Sequence, residues 1–136
     1  MLSQSEVQDL LNALDNIKHK AILMTIYAAG LRVSEVANLR LTDIDSRKMQ
    51  IYVSLAKGKK DRYCILSKKN LEVLRNYFEE YKPKDWLFPN KNTGKPISVR
   101  TIQRIFDKAR DKAGIKKNAT VHTLRHYVES NIMGSE

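Results

Sequence analysis

Apolar residues recur at helical spacing through most of this sequence, and only one stretch alternates with a period of two. Spacings of three and four residues favour amphipathic helices, whereas strict alternation favours a half-buried strand. Helices are predicted at about residues 3–14, 19–29, 34–39, 67–81, 98–113 and 121–132. The alternating stretch, 49–55, precedes a lysine-rich turn and then 62–66, which predicts a β-hairpin. We therefore expect a mainly α fold with one small antiparallel hairpin or sheet, an α+β fold, in a single domain over residues 1–136.

Residues at the predicted helix ends support these boundaries. Ser3 and Glu6 have the spacing of a capping box, in which each side chain bonds to the backbone of the other residue. Gly30 stands where a helix C-terminus favours the left-handed conformation. The inward face of the helix at 67–81 is predicted to carry Leu71, Leu74 and Phe78.

The charge balance narrows the class of partner. The chain has 25 Lys and Arg against 15 Asp and Glu, a net charge of +10. Such an excess favours a polyanion, and nucleic acid is the commonest because each neutralised phosphate releases condensed counterions. A solvated basic surface without a partner is the alternative. No apolar run has the length of a membrane span and no N-terminal signal pattern is present, so a cytoplasmic protein is the default expectation.

The cysteine and histidine content argues against an internal disulfide and against a structural zinc site. Cys64 is the only cysteine, which excludes an internal disulfide, and we interpret it as a small buried hydrophobic residue. One cysteine and three scattered histidines, at positions 19, 122 and 126, do not support a structural zinc site.

Two basic residues stand out by their local sequence. Arg32 follows a glycine stop, and Glu35 is three residues further on, so the carboxylate could hold the Arg32 guanidinium ready to clamp a phosphate. A surface arginine paired with Glu35 is the alternative. Lys57 lies in the hairpin turn beside Gly58, where it could enter a nucleic-acid groove or donate a proton to a leaving oxygen. A solvated turn that protects a sheet edge is the alternative here.

A third basic site lies near the end of the chain. His122 and Arg125 are three residues apart and therefore share a helix face. A histidine beside an arginine can carry protons next to a bound phosphate. The alternative is a helix N-terminus with a polar face.

Three segments taken together resemble a known family. Gly-Leu-Arg-Val-Ser-Glu, then Lys-Gly-Lys-Lys-Asp-Arg after a strand, then His-Thr-Leu-Arg-His resemble the tyrosine recombinases, the bacterial Xer and phage integrase branch in particular. The resemblance covers nearly the whole chain. It implies the fold of that catalytic domain and site-specific DNA recombination or integration, with strands cleaved and rejoined through a 3′-phosphotyrosyl intermediate.

The same resemblance implies a role for each site residue. Arg32 and Arg125 would grip the scissile phosphate, and Glu35 would support the first of them. His122 would be an acid/base group in contact with the phosphate, and Lys57 would protonate the 5′-hydroxyl leaving group. Fixed cations of this kind stabilise the charge that develops when a phosphodiester is attacked.

Partners follow from the resemblance as well. It implies double-stranded DNA, no membrane, no cofactor and no metal, because arginines take the metal's place. A tetramer on DNA is expected for the full-length protein and a monomer for this chain. Further DNA contacts are expected from Lys59, Lys60, Arg62, Arg100 and Arg104.

The nucleophile of the family has no counterpart here. In the family a tyrosine lies several helical turns beyond the His-x-x-Arg motif, after a Leu-Gly-His-like motif, whereas eleven residues follow Arg125. We interpret all six tyrosines as structural: Tyr27, Tyr52, Tyr63, Tyr77, Tyr81 and Tyr127. The chain is therefore expected to be a catalytic domain that is incomplete at its C-terminus and lacks the N-terminal core-binding domain. It should bind DNA weakly and in a salt-sensitive way, without strand cleavage.

Two other functions remain open from sequence. One is a non-catalytic DNA-binding module or degenerate integrase remnant, although such a binder needs charge and not this set of four residues. The other is a small basic RNA-binding protein with Tyr52 and Tyr63 as stacking residues, for which a hairpin is a poor platform.

Overall fold

The computed structural model describes residues 2–54 and 61–121. The predicted hairpin turn with Lys57, Lys59 and Lys60, and the predicted helix with His122, Arg125 and Tyr127, lie outside the described residues. The helices are α1 (Gln4–Asn12), α2 (Ile17–Ala29), α3 (Val33–Ala37), α4 (Lys68–Tyr81) and α5 (Val99–Lys112). The strands are β1 (Ile44–Asp45), β2 (Gln50–Val53) and β3 (Arg62–Ile65), and a short 3-10 turn, Leu41–Asp43, precedes β1.

Capping residues begin and end the helices as their local chemistry dictates. Ser3 Oγ accepts from the Glu6 amide at 3.1 Å, and the Glu6 carboxylate accepts from the Ser3 amide at 2.9 Å, so the predicted capping box is confirmed. Gly30 ends α2 with φ 70° and ψ 33°, the left-handed conformation that glycine adopts without steric cost. Gly114 follows α5 with φ 74°.

The sheet has three antiparallel strands in the order β1-β2-β3. In the β2–β3 pair Val53 lies opposite Arg62, and Tyr52 lies opposite Tyr63. Val53 is buried, whereas 65% of Tyr63 is exposed, so the two faces of the sheet differ as alternation requires. The two-residue strand β1 was not predicted. Cys64, expected to be buried, is half-buried because it lies on the edge strand β3.

Helix α2 runs through the centre of the core. Residues 21–26 are all buried, as expected for a helix that is apolar on every side. Its main packing partner is α4. Between them Thr25 Oγ1 lies 2.7 Å from the Ala21 carbonyl and 3.1 Å from the side-chain oxygen of Asn70, which is also fully buried. If the Asn70 amide is turned over, its nitrogen donates to Thr25, and the single hydroxyl proton goes to Ala21.

One predicted inward residue of α4 is wrong. Leu71 and Leu74 are buried, but Phe78 is 46% exposed, and the neighbouring Tyr77 is buried instead. The Tyr77 hydroxyl donates to the Leu87 carbonyl at 2.6 Å, and its ring packs at 5.2 Å against Phe88. The segment after α4 therefore selects Tyr77 for the core. None of the helices within the described ranges is long and apolar enough to cross a membrane.

Candidate functional site

The turn between α2 and α3 places Arg32 at the surface. Gly30 reverses the chain, Leu31 is fully buried and anchors the turn, and Arg32 is the N-cap residue of α3 with an exposed side chain. Its backbone carbonyl accepts from the Val36 amide at 3.0 Å, the first hydrogen bond of that helix. The backbone of Arg32 is thus fixed while its guanidinium points to solvent.

Glu35 has a different guanidinium partner from the one expected. Its Oε1 accepts from the Arg32 backbone amide at 2.7 Å, and Arg62 donates from both terminal nitrogens, at 2.5 Å to Oε2 and 2.9 Å to Oε1. The expectation that Glu35 holds the Arg32 guanidinium is therefore corrected. As the third residue of α3, its carboxylate reaches back to the N-cap backbone, and there it meets the side chain that comes across from β3.

The environment of Glu35 favours the ionised form. Only 6% of its side chain is exposed, and this burial alone would favour the neutral acid. Hydrogen bonds from Arg62 and from the Arg32 amide, with the charges of both arginines, outweigh burial and hold the pKa of Glu35 below its ordinary value. The same carboxylate raises the pKa of Arg62. Both groups of this pair are therefore charged at neutral pH.

A pH-dependent contribution to stability follows from this lowered pKa. A depressed carboxyl pKa stabilises the fold above the ordinary value of 4.5, and that stability is lost as pH falls through the folded-state pKa. We expect Glu35→Gln to cost about 1–3 kcal/mol at pH 7, and the gap in Tm between this variant and the parent to close below pH 4.5. Thermal melts of both proteins from pH 7 to pH 3 measure this difference in Tm. Glu72→Gln, an exposed carboxylate on α4, should show no such gap, and a gap for Glu35→Gln that does not narrow as pH falls from 7 to 3 would contradict this assignment.

The ion pair lies at the base of the predicted lysine-bearing turn. Arg62 is the first residue of β3 and lies opposite Val53, the last residue of β2. The chain that contains Lys57 therefore leaves and re-enters the sheet at this rung. Arg62 itself, expected to contact DNA, uses both terminal nitrogens of its guanidinium on Glu35.

The described chain is also anchored just before His122. Arg110 of α5 donates to the Ala119 carbonyl at 2.6 Å, and Ala119 and Val121 are both buried. The path of the chain is thereby fixed up to the residue before His122. Where His122 and Arg125 lie relative to Arg32 falls outside the described residues.

Arginines fall into two groups by their partners. Arg40 pairs with Asp85 and stacks 4.1 Å above the Trp86 ring, and Arg110 contacts Asp107 and Asp111. By contrast, some guanidinium groups have no hydrogen-bond or ion-pair partner within residues 2–54 and 61–121: those of Arg32, Arg47, Arg75, Arg100 and Arg104. Arg100 and Arg104 are both exposed and lie one turn apart on α5. These side chains are available to an anionic partner.

Tyrosine hydroxyl groups donate hydrogen bonds at Tyr52, Tyr77 and Tyr81, the last of them to the Asn16 side chain at 3.3 Å. Tyr77 is fully buried, and its burial raises its pKa well above the ordinary value, so it is not available as a nucleophile. The Tyr52 hydroxyl donates to Asp61. Within the described ranges no cluster of three His, Cys, Asp or Glu side chains is arranged to hold a metal ion.

Comparison with known proteins decides the family. Residues 1–136 match the family model described as the phage integrase family. The chain belongs to the phage integrase family. A protein of Sinorhizobium fredii named as an integrase/recombinase, y4qK, is 48% identical over 126 residues, which are 93% of this chain and 41% of that protein. Tyrosine recombinase XerA of Pyrococcus horikoshii is 34% identical over 135 residues, 97% of this chain and 47% of that protein.

Solved structures of the phage integrase family share the fold. A crystal structure of XerA recombinase superposes with a TM-score of 0.87 at 29% identity, over 97% of this chain and 50% of that one. The lambda integrase catalytic core gives a TM-score of 0.77 at 18% identity, over 98% of this chain and 86% of that one. The predicted family and α+β fold are thus confirmed. The chain spans about half or less of the length of the curated relatives named above.

Sequence reasoning did not anticipate the ion pair between Arg62 and Glu35. It counted Arg62 among the DNA contacts because of its charge and its place beside the lysine-rich turn. Glu35 and Arg62 are 27 residues apart, so no helical spacing connects them.

Proposed function

We propose that residues 1–136 are the greater part of a tyrosine recombinase catalytic domain that binds double-stranded DNA at a backbone phosphate. The observation that carries the proposal is Arg32. Its side chain is exposed without a protein partner in the described chain, while its backbone is held by Glu35 and by the start of α3. A fixed backbone with a free guanidinium suits bidentate binding of phosphate oxygens.

The proposed chemistry distributes charge and protons among four residues. Arg32 and Arg125 bind the non-bridging oxygens of the scissile phosphate and stabilise the charge that develops there. In the full-length protein a tyrosine oxygen attacks phosphorus, the 3′-phosphotyrosyl bond forms, and the bond to the 5′-oxygen breaks. Lys57 protonates that leaving oxygen, and His122 acts as the acid/base group at the phosphate.

Relatives of known structure support DNA as the partner. XerH is recorded bound to its difH substrate, and lambda integrase bound to a COC′ core site. The net charge of +10 agrees with a polyanionic partner. We assign a tetramer on DNA to the full-length protein and a monomer to this chain.

For the 136-residue chain alone we propose binding without cleavage. None of its six tyrosines has the sequence context that the family gives its nucleophile, and Tyr77 is buried. Incubation with a nicked suicide duplex should therefore give no covalent protein–DNA product. A covalent adduct in a denaturing gel would overturn this part of the proposal.

Helix α5 supplies a direct test of the DNA interface. Arg100→Ala/Arg104→Ala removes two partner-free cations from one exposed face. If each contacts a phosphate, the slope of log affinity for duplex DNA against log salt concentration should become shallower by about 1.8. Fluorescence anisotropy at several salt concentrations measures the slope.

A double variant with the same loss of charge is the control. Arg47→Ala/Arg75→Ala removes two exposed arginines from the β1–β2 turn and from α4, and its slope should stay close to that of the parent. Equal slopes for the two double variants would mean that only net charge matters, which would contradict an interface on α5.

RNA binding is a second candidate with one observation in its favour. The rings of Tyr52 and Tyr63 lie 5.3 Å apart on the exposed side of the sheet. Asp61, however, accepts a hydrogen bond from Tyr52 and places negative charge beside them. The same anisotropy assay with single-stranded RNA separates the two functions, because tighter binding of RNA than of duplex DNA at matched salt would favour the sheet.

A further inference from the structure

We propose that Arg62 is a positioning residue. With Glu35 it ties the turn that carries Arg32 to the base of the hairpin that carries Lys57. The inference rests on the proposed function, since it concerns how Arg32, the proposed phosphate-binding arginine, is positioned. It replaces the expectation that Arg62 contacts DNA.

The geometry of the ion pair fixes both the distance and the relative orientation of Arg62 and Glu35. Arg62 donates through both terminal nitrogens, at 2.5 Å and 2.9 Å, to the two oxygens of one carboxylate. A planar guanidinium held at two points fixes orientation as well as distance, which a single-point lysine contact does not. The Glu35 side chain is 6% exposed and that of Arg62 35% exposed, so water competes little at the carboxylate.

One oxygen of Glu35 joins the two site segments directly. Its Oε1 accepts from Arg62 and from the Arg32 backbone amide at 2.7 Å. A displacement of the β3 terminus would therefore act on the N-cap of α3 through a single atom. The N-cap backbone in turn sets the direction in which the Arg32 side chain leaves the helix.

The position of Arg62, at the sheet end of the ion pair, is also fixed by its neighbours. Arg62 lies opposite Val53, which is buried, so this rung of the sheet is held from the core side. Cys64, two residues further along β3, also favours the charged form of Arg62 and helps to raise its pKa. The ion pair therefore acts at the last rung of the β2–β3 pair, Val53 and Arg62.

Stability alone is a weak reason for such a pair. Removing two charges from water costs free energy that their attraction roughly offsets, so apolar replacements of buried ion pairs are often neutral. A pair of this geometry, which shares one carboxylate oxygen with the Arg32 backbone, is better explained by the position it gives to Arg32. Its placement, 27 residues apart in sequence, also makes it a long-range connection and not a helix-local one.

A double-mutant cycle on the 136-residue chain tests this assignment. Arg62→Lys and Arg62→Gln are each measured alone and with Arg32→Ala, with duplex DNA affinity at fixed salt as the readout. We expect Arg62→Lys and Arg62→Gln to weaken binding similarly, by about tenfold, because lysine keeps the charge but cannot make the two-point contact. In the Arg32→Ala background the further loss should be less than about twofold, because the residue being positioned is gone.

The outcomes separate this inference from the proposed function. If Arg62→Lys binds like the parent while Arg62→Gln is weak and adds fully to Arg32→Ala, Arg62 contacts phosphate directly and the inference is wrong. If Arg62→Lys and Arg62→Gln both bind like the parent while Arg32→Ala is weak, the inference alone fails. If Arg32→Ala binds like the parent, the proposed phosphate site fails.

Folding of each variant is checked by its thermal melt, since a purely stabilising role would lower Tm without coupling to Arg32. Should Arg62→Gln not fold, the milder Arg62→Lys decides the question alone. Arg47→Gln, in the β1–β2 turn at the other end of strand β2, serves as the matched control and should bind like the parent.

Discussion

Replacing Arg32 with alanine is expected to weaken duplex DNA binding by about tenfold to a hundredfold at moderate salt. A hydrogen bond to a charged group contributes about 1.5–3 kcal/mol, and each 1.4 kcal/mol corresponds to about a factor of ten. The guanidinium has no partner in the described chain, and only the backbone of Arg32 bonds to Glu35. The variant should therefore fold with an unchanged Tm while it loses affinity.

The control for Arg32 is an arginine at the opposite end of the sheet. Arg47 lies in the turn that precedes β2, whereas the lysine-bearing segment follows it. Arg47→Ala removes the same charge and should change affinity by less than about threefold, the share expected from one distant exposed charge. Arg32→Lys should recover only part of the loss, because lysine cannot bind two phosphate oxygens in a plane. Equal effects of Arg32→Ala and Arg47→Ala would exclude a specific phosphate site at Arg32.

The largest effect on stability is expected at Tyr77. Its ring is fully buried against Phe88, and its hydroxyl donates to Leu87, so Tyr77→Ala loses both packing and a buried hydrogen bond. Large aromatic truncations in cores cost about 3–5 kcal/mol. Tyr77→Phe keeps the ring but leaves the Leu87 carbonyl unpaired, which should cost about 1–3 kcal/mol. Urea unfolding followed by circular dichroism measures both.

The adjacent residue on the same helix provides the comparison. Phe78 is 46% exposed, so Phe78→Ala should cost less than about 1.5 kcal/mol despite the similar change in side-chain size. If Phe78→Ala were the more damaging of the two, the packing of α4 described above would be wrong. If Tyr77→Phe were neutral, the hydrogen bond to Leu87 would contribute nothing to stability.

Local chemistry explains what the sequence alone predicted about the fold. The capping box of Ser3 and Glu6 and the left-handed Gly30 depend on neighbours within four residues, so sequence spacing was sufficient. Tyr77 and Phe78 are adjacent, and both fit the apolar stripe of α4. The choice between them depends on the Leu87 carbonyl and on Phe88, which approach from outside the helix. The two residues of β1 are too few for any periodicity.

In the candidate site, too, the local features could be predicted from the sequence, whereas the long-range contact could not. The exposed position of Arg32 follows from Gly30, from the buried Leu31 and from the start of a helix, all of them visible in one short segment. The partner of Glu35 could not be predicted, because it depends on where the sheet packs relative to α3, and Arg62 is 27 residues away in sequence. Charge alone made Arg62 a candidate for DNA contact, and its pairing with Glu35 is visible only in the folded structure.

The Thr25–Asn70 contact sets the axial position of α2. An apolar helix in an apolar core can slide along its axis at little cost, because one turn of aliphatic side chains packs much like the next. Thr25 and Asn70 are the buried polar side chains in the described core, so a slip of one turn, about 5.4 Å, would separate them and take from Asn70 its hydrogen bond to α2, while Thr25 would keep its bond to the Ala21 carbonyl. Arg32 and Glu35 follow shortly after the end of α2, and the same slip would carry both of them away from Arg62 on β3. The buried hydrogen bond between Thr25 and Asn70 thus helps to fix the axial position of α2, and with it the position of Arg32 relative to the sheet.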